Sequence, residues 1–181
     1  STCYMINSIL CETGYKVGLF TSPQITTIYE LIKVNGVEIT ELEFEDCKNK
    51  LRQVLNELVL DLENDLSYFE MVFLIAMIHF KNKDVNVLIL ECGLGGELDA
   101  TNAVSKIDYT IFTKIGIDHK NILGNSLIFF IYHQLIPYTS YCFYTIKSKL
   151  FSKLFYIHIN NSIKRYIFCF FPNIIYYLIS S

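Results

Sequence analysis

Five amino acids are missing from the last part of the chain. Residues 128–181 contain no glycine, alanine, valine, aspartate or glutamate, the five amino acids whose codons begin with G. A packed domain uses glycine and aspartate to turn its chain and small residues to fit its core. We therefore predict that residues 128–181 are a low-complexity tail and not a native domain, translated from AT-rich DNA such as a retained intron or a shifted frame.

Acidic residues are also confined to one part of the chain. All 18 Asp and Glu lie between Glu12 and Asp118, so the tail is basic although the whole chain has a net charge of −3. A membrane segment and a nucleic-acid surface are two other interpretations of the tail. Neither is favoured. No apolar run free of charges or amides reaches the roughly 18 residues of a spanning helix, and five scattered cations are a weak footprint for nucleic acid. We expect no nucleic-acid partner and no membrane partner.

The cysteines and the first ten residues give an indication of the cellular compartment. The 6 cysteines form no Cys-x-x-Cys pair, so they do not resemble a zinc or disulfide framework. Residues 1–10 lack the charged segment and the cleavage pattern of a signal peptide. These absences predict a reduced, cytoplasmic protein, with a mitochondrial location as the alternative in a eukaryote.

Three helices are predicted in the first part of the chain. The first covers residues 2–13, with Met5, Ile9 and Leu10 on one apolar face. The second and third extend to about Leu62 and Phe80. Each of these two begins at a capping box, in which Ser or Thr is followed three positions later by Glu. The two boxes are Thr40 with Glu43 and Ser67 with Glu70.

Continuous apolar runs predict three buried strands, over residues 16–20, 85–90 and 109–115. The pair Asn35-Gly36 is a turn signal between apolar runs and is compatible with a hairpin. Because strands alternate with helices, the sequence predicts an α/β fold, with a parallel sheet covered in three layers.

The most informative stretch is ECGLGGELDATN, residues 91–102. A predicted strand delivers Glu91 into a turn with three glycines, which tolerate positive φ and let backbone approach a ligand closely. Ligands of open α/β sheets bind at the carboxyl ends of the strands. A carboxylate at that position, followed by Asp99, Thr101 and Asn102, suggests a site for a metal and a phosphate.

Three predicted loops open at the same edge of such a sheet and bring Ser22, Glu91 and His119 toward one point. A hydroxyl, a carboxylate and an imidazole make a plausible divalent-cation site, and Mg²⁺ is normally held by few carboxylates together with phosphates and water. Histidine is more usual with Zn²⁺ or Mn²⁺. The ordinary alternatives are a turn-forming Ser22, a locally paired Glu91 and a structural His119.

Five segments also match one protein family in its own order and at near-family spacing. They are residues 14–23 (GYKVGLFTSP), 34–36 (VNG), 66–70 (LSYFE), 91–102 (ECGLGGELDATN) and 116–124 (GIDHKNILG). On these motifs residues 1–127 resemble folylpolyglutamate synthase and dihydrofolate synthase, members of the Mur ligase superfamily.

The resemblance implies a P-loop-type ATP-binding domain, the central domain of a Mur ligase, and an ADP-forming ligase that uses ATP and Mg²⁺. In that family ATP phosphorylates a carboxylate of a folate or of dihydropteroate, and the amine of L-glutamate displaces the phosphate. The family's metal residues fall on Ser22, Glu91 and His119, and the last residue of its phosphate-binding loop falls on Ser1. A monomer is expected for the intact enzyme.

Several positions depart from the family pattern. The loop G-T-N-G-K-G-S, the strand before it and its lysine are not in the sequence, which starts at the loop's last residue. Gln24 stands in place of a histidine, Glu97 in place of an arginine and Lys120 in place of a threonine. The match ends at Leu127, where the composition changes.

We therefore predict that residues 1–127 are an incomplete central domain, truncated at both ends, and that the 181-residue chain is inactive as a ligase. A cell-wall Mur ligase and a non-catalytic or membrane-associated product are the alternatives. Whether a folate, dihydropteroate or both are the substrate stays open.

Overall fold

The computed structural model describes residues 2–94, 99–104, 107–113 and 165–170. Two short 3₁₀ turns, Ile28–Leu31 and Ala100–Ala103, accompany the regular elements. The helices are α1 (Thr2–Glu12), α2 (Glu41–Glu57) and α3 (Tyr68–Asn82). The strands are β1 (Val17–Phe20), β2 (Ile32–Val34), β3 (Val37–Glu38), β4 (Val87–Glu91), β5 (Tyr109–Phe112) and β6 (Arg165–Phe170).

The strands form one six-stranded sheet in the order β3-β2-β1-β4-β6-β5. β1, β4, β6 and β5 are parallel, whereas β2 and β3 add an antiparallel hairpin at one edge. The hairpin turns at Asn35 and Gly36, as the sequence indicates, and Asn35 has a φ of 50°. The predicted α/β class is confirmed, with a mixed sheet in place of a purely parallel one.

One strand of the sheet comes from the tail. β6 pairs with β4 on one side and with β5 on the other, so β4 and β5 do not pair with each other. Residues 165–170 therefore take part in the sheet. The division of the chain at Leu127 into a family domain and a tail of different origin stays a prediction.

The sheet is buried on both faces, because successive side chains of a strand point in opposite directions. On one face Phe20, Leu88 and Leu90 belong to a large core with α2 and α3. On the other face Val17, Leu19 and Ile89 form a smaller core with Cys3 of α1. The three layers expected from the alternation of elements are thus present.

Both predicted capping boxes are confirmed. The Thr40 hydroxyl accepts from the Glu43 N–H at 3.3 Å, and the Glu43 carboxylate accepts from the Thr40 N–H at 3.0 Å. Ser67 and Glu70 make the same reciprocal pair at 3.3 and 2.8 Å. Such a cap is worth about 1 kcal/mol because it satisfies backbone N–H groups that the helix leaves free.

Two helix predictions are wrong in detail. α2 ends at Glu57 and not near Leu62, because the chain turns there and the Leu60 N–H donates to the Leu55 carbonyl at 2.9 Å. On α1, Met5 and Ile9 are 58% and 64% exposed. The buried side of α1 carries Cys3 and packs Ile6 and Leu10 on the sheet, since only the stripe facing β1 and β4 finds apolar partners. None of the described helices is long and apolar enough to cross a membrane.

Candidate functional site

The carboxyl ends of β1 and β4 lie side by side. The two strands are parallel with Phe20 opposite Leu90, so the loop after β1 begins next to Glu91. The backbone N–H of Ser22 donates to Glu91 Oε2 at 3.1 Å. The structure thus brings together two of the residues that the sequence selects, although they are far apart in the chain.

Glu91 is buried, with 6% of its surface exposed. Burial raises the pKa of its carboxyl group, and the hydrogen bond from the Ser22 N–H partly opposes that shift. A buried carboxylate is costly unless a cation or a donor compensates it, so Glu91 suits a metal ligand.

The other two predicted site residues, Ser1 and His119, lie outside the described residues, as do Gly95, Gly96 and Glu97. In the ranges that the structure covers, no three His, Cys, Asp or Glu side chains gather closely enough to hold a metal ion. A site on Ser22 and Glu91 therefore needs a further ligand from elsewhere. His119 remains the predicted one, and hydroxyl and carboxylate oxygens are the ligands that Mg²⁺ prefers.

The loop after β4 is closed by a carboxylate of its own. Asp99 Oδ2 accepts from the N–H groups of Gly93 and Leu94 at 3.0 and 2.8 Å, and Oδ1 accepts from the Thr101 N–H at 3.0 Å and from its hydroxyl. Burial raises the pKa of Asp99, while these donors act in the opposite direction. The sequence interpretation that Asp99 and Thr101 offer oxygens to a ligand is wrong for this arrangement, because the loop itself uses them.

Gly93 is required by close packing at the base of this loop. A Cβ at that position would lie 3.0 Å from Asp99 Oδ2 and 3.0 Å from Phe69 Cζ. The Phe69 ring stands at the start of α3 and packs on Phe20 at 5.6 Å between centroids. The aromatic pair and the Asp99 hydrogen bonds together fix the loop beside Glu91.

The loop after β1 is held by residues that sequence reasoning missed. The Tyr68 hydroxyl donates to Gln24 Oε1 at 3.0 Å, and Tyr4 and Thr21 pair their hydroxyl groups at 3.4 Å. Glu30 accepts from the backbone of Ile25 and Thr26, and from the Thr26 hydroxyl at 2.6 Å. No sequence signal predicts these contacts, because they depend on the path that the loop takes.

Sequence comparison finds relatives that match about 70% of the chain, although no protein-family model matches. The chain is 40% identical over 124 residues to the dihydrofolate synthase/folylpolyglutamate synthase of Buchnera aphidicola subsp. Baizongia pistaciae, covering 68% of this chain and 28% of that protein. It is 40% identical over 128 residues to the enzyme of the same name from Bacillus subtilis, covering 70% of this chain and 30% of that protein.

Solved structures show the same fold. Escherichia coli FolC in complex with DHPP and ADP matches with a TM-score of 0.64 at 36% identity, over 74% of this chain and 30% of that one. A bifunctional folylpolyglutamate synthase/dihydrofolate synthase with Mn, AMPPNP and L-glutamate bound matches with a TM-score of 0.58 at 32% identity, over 69% of this chain and 29% of that one.

The fold is therefore that of an α/β domain found in solved folylpolyglutamate synthase/dihydrofolate synthase structures. More narrowly, the chain is homologous to one part of the proteins in the dihydrofolate synthase/folylpolyglutamate synthase family. It spans less than a third of the length of these two curated relatives, at 28% and 30%.

Proposed function

We propose that the family-like part of the chain is a piece of the ATP site of a folylpolyglutamate/dihydrofolate synthase. The observation that carries the proposal is the Ser22 N–H bonded to the buried Glu91 at the carboxyl edge of two parallel strands. Relatives that match this part bear the name of that enzyme, and a matching structure holds ADP.

The reaction is the ATP-dependent joining of a carboxylate and an amine. The carboxylate attacks the γ-phosphorus of ATP and releases ADP, which gives an acyl phosphate. The amine nitrogen of L-glutamate then attacks the acyl carbon, loses a proton and expels inorganic phosphate, so an amide bond results. Positive charge near the transferred phosphoryl oxygens is what such a site must supply.

We assign three residues as ligands of a bound Mg²⁺: Ser22, Glu91 and His119. We assign Ser1 to the binding of the nucleotide. Mg²⁺ would neutralise charge on the phosphoryl oxygens when bound. The chain's own contribution is to hold Glu91 buried and oriented by the Ser22 N–H, beside a loop that Asp99 keeps closed.

A folate or dihydropteroate and L-glutamate are the substrates that we assign to the intact enzyme. A matching E. coli structure contains DHPP and another matching structure contains L-glutamate. We further propose that the intact enzyme is a monomer and that it is located in the cytoplasm.

The 181-residue chain contains no phosphate-binding loop of the form G-T-N-G-K-G-S. The backbone N–H groups and the lysine of such a loop hold the terminal phosphates. We therefore expect no ADP release when the chain is given folate or dihydropteroate, L-glutamate and Mg-ATP. Turnover by this chain would overturn that expectation.

A chimera tests the assigned function directly. Residues 2–113 replace the matched segment of the B. subtilis synthase, and ADP release is measured with a folate, with dihydropteroate and with a UDP-linked peptide. We expect release that depends on a folate or dihydropteroate, and a loss of at least about 100-fold in the chimera that also carries Glu91→Gln. Glu57→Gln, at the exposed end of α2, is the matched control and should leave the rate unchanged.

Dependence on the UDP-linked peptide would instead favour a cell-wall ligase. Cell fractionation tests the remaining alternative, a non-catalytic or membrane-associated product. Recovery of an intact product of this size with membranes would support a non-catalytic, membrane-associated role.

A further inference from the structure

The turn of the hairpin between β2 and β3 consists of Asn35 and Gly36, and both residues are exposed to solvent. Asparagine is one of the thermolabile amino acids, and it is most reactive before glycine, which has no side chain to shield its own N–H. The Gly36 nitrogen can attack the side-chain carbon Cγ of Asn35 and lose its proton while ammonia leaves, which closes a five-membered succinimide ring. Water then opens the ring and gives either aspartate or isoaspartate.

The backbone of the turn keeps the two reacting atoms apart. Asn35 and Gly36 have φ values of 50° and 80°, the left-handed conformation of a type I′ turn. In that conformation ψ of Asn35 is also positive, so the Gly36 nitrogen lies on the opposite side of the Cα–C bond from the Asn35 Cβ. The ring needs both atoms on the same side. The succinimide therefore cannot form until the turn rotates about that bond.

Hydrogen bonds hold Asn35 in this conformation. Its Oδ1 accepts from the Val17 N–H at 2.7 Å and from the Cys11 thiol at 3.7 Å. Its own N–H donates to the Val17 carbonyl at 2.8 Å. These bonds tie the turn to the start of β1 and to the end of α1, and ring closure would disrupt them because the Asn35 side chain becomes part of the ring.

Isoaspartate would change the shape of the turn. In isoaspartate the main chain runs through the former side-chain carbonyl, so the backbone of the turn is longer by a carbon atom. A short turn sets the register of the strands that it joins, and here Val34 lies opposite Val37 and Lys33 opposite Glu38. The longer backbone cannot keep both this register and the type I′ geometry, so the opened hairpin would not close as before.

We propose that Asn35-Gly36 is a modification site for deamidation that the folded hairpin keeps closed. Isoaspartate forms there when the hairpin between β2 and β3 opens, and it then prevents the original turn from forming again. Water is the co-reactant, and ammonia is the group released. The site therefore keeps a covalent record of hairpin opening, and it does not depend on the ligase function proposed above.

The rate of deamidation in the full chain tests whether the fold closes the site. The chain is held at mildly basic pH with and without urea and digested at intervals, and mass spectrometry of the peptide that contains Asn35 measures aspartate and isoaspartate. The folded chain should convert at least about ten-fold more slowly than the chain in urea, since reaction in a folded segment requires local opening. Equal rates would overturn the closing by the fold, and no conversion in urea would overturn the site itself.

Asn86 is the internal control in the same digests. Its side chain also accepts from a backbone N–H, that of Lys16 at 3.0 Å, but it precedes Val87, whose branched side chain hinders attack by its own nitrogen. Conversion of Asn86 should therefore lag far behind that of Asn35 in urea. Equal conversion of the two asparagines in urea would show that Gly36 does not make the site reactive.

Glu38→Gln tests whether opening of the hairpin limits the reaction. Glu38 and Lys33 join the two strands of the hairpin through an ion pair at 2.7 Å. Loss of this partly exposed pair should speed deamidation of the folded chain about two-fold or more and leave the rate in urea unchanged. Glu57→Gln, at the exposed end of α2, is the matched control and should change neither rate. An unchanged rate in the folded Glu38→Gln chain would contradict the proposal.

The isoaspartate form, separated from the parent chain by ion exchange, tests the effect on the hairpin. The Ile39 N–H donates to the Ile32 carbonyl at 2.9 Å, and its hydrogen exchange should be at least about ten-fold faster in that form. Asn35→Asp carries the same charge on a normal backbone, so it should keep the exchange rate of the parent at Ile39. The Lys83 N–H, which donates to a carbonyl at the end of α3, should not change in either chain. Parent-like exchange of Ile39 in the isoaspartate form would overturn the effect on the turn.

Discussion

The Ser22 N–H lies 3.1 Å from Glu91 Oε2 and joins the ends of two neighbouring parallel strands. The bond orients a carboxylate that burial would otherwise favour in its neutral form. Because the bond engages Oε2, Oε1 is the oxygen that we assign to the cation of the proposed site.

The metal assignment predicts a local effect of Mn²⁺ on this chain. A paramagnetic ion at Glu91 should broaden the amide resonance of Ser22, which is bonded to that side chain. Glu91→Gln removes the negative charge but keeps the shape, and we expect it to reduce the broadening at least about five-fold at equal Mn²⁺, since Mn²⁺ prefers carboxylate oxygen. Glu57→Gln, at the exposed end of α2, serves as the control and should leave the broadening of the Ser22 amide unchanged. Equal broadening in the Glu91→Gln chain would remove Glu91 from the metal site.

Asp99→Asn should loosen the loop after β4. The amide has nearly the same shape but offers one acceptor oxygen, whereas the two carboxylate oxygens accept from Gly93, Leu94 and Thr101. Leaving buried donors unpaired costs about 1–3 kcal/mol. Urea unfolding should show that loss, together with faster hydrogen exchange at Gly93 and Leu94.

Glu57→Gln, at the exposed end of α2, is the matched control for that substitution and should stay within about 0.5 kcal/mol of the parent chain. An Asp99→Asn chain as stable as the parent, with unchanged exchange at Gly93, would show that the carboxylate does not close the loop.

Gly18→Ala should destabilise the sheet. The added Cβ would lie 2.8 Å from Phe80 Cδ1 and 3.0 Å from Leu88 Cδ1. Phe80 is fully buried, so its ring has little room to move. Overpacking of this kind costs about 1–3 kcal/mol in the free energy of unfolding.

A double-mutant cycle with Phe80→Leu checks that mechanism. Phe80→Leu should cost less in the Gly18→Ala background than in the parent chain, because the smaller side chain relieves the clash. Strictly additive losses would mean that Gly18 is needed for a different reason.

The pair of Glu43 and Lys83 predicts a pH dependence of stability. The Lys83 ammonium, 2.5 Å from Glu43, and the Thr40 N–H lower the pKa of Glu43 to about 2 from 4.5. Because the folded chain then binds this proton less readily than the unfolded chain, the contribution is present above about pH 4.5 and is lost as the pH falls toward 2.

Glu43→Gln isolates that contribution, because glutamine can keep the capping box while it loses the ion pair. Near neutral pH the difference from the parent chain should be at most about 1 kcal/mol, since both side chains are partly exposed to solvent. Urea unfolding of both chains from neutral pH to about pH 2 should show the difference shrinking. A difference that grows toward low pH would contradict the assignment.

Val59 offers a stabilising substitution. It has a φ of 57°, and it is 92% exposed, so its side chain gains little from packing. A β-branched residue in this region is strained, and asparagine tolerates it better. Val59→Asn should therefore raise the free energy of unfolding by roughly 1 kcal/mol, whereas Val59→Ala, which keeps the Cβ, should gain less. No gain for asparagine over alanine would argue against strain at this position.

Local signals predicted the framework of the fold well. The capping boxes at Thr40 and Ser67, the Asn35 turn and the apolar runs of β1 and β4 each depend on neighbours in sequence. The exposed face of α1 could not be predicted in this way, because both of its sides carry apolar residues and only the sheet selects which side is buried.

The site could be predicted where it depends on strand ends. Glu91 and Ser22 meet because parallel strands finish at one edge, and that rule can be applied to a sequence. Two other features could not be predicted: the hydrogen bonds by which Asp99 closes the loop after β4, and the contact of Tyr68 with Gln24. Each depends on the path that a loop takes through space. The insertion of β6 was missed because nothing in a composition bias indicates a pairing partner.

The pairing of β4 with β6 also sets an order of events during synthesis. β4 is complete at residue 91, but its second partner begins only at residue 165. A chain emerging from the ribosome must therefore carry an open strand edge for as long as the intervening segment takes to be translated. Closing so long a loop is slow, so the last ladder to form should be the one at the centre of the molecule, and chaperone binding should concentrate on the chain before residue 170 has emerged.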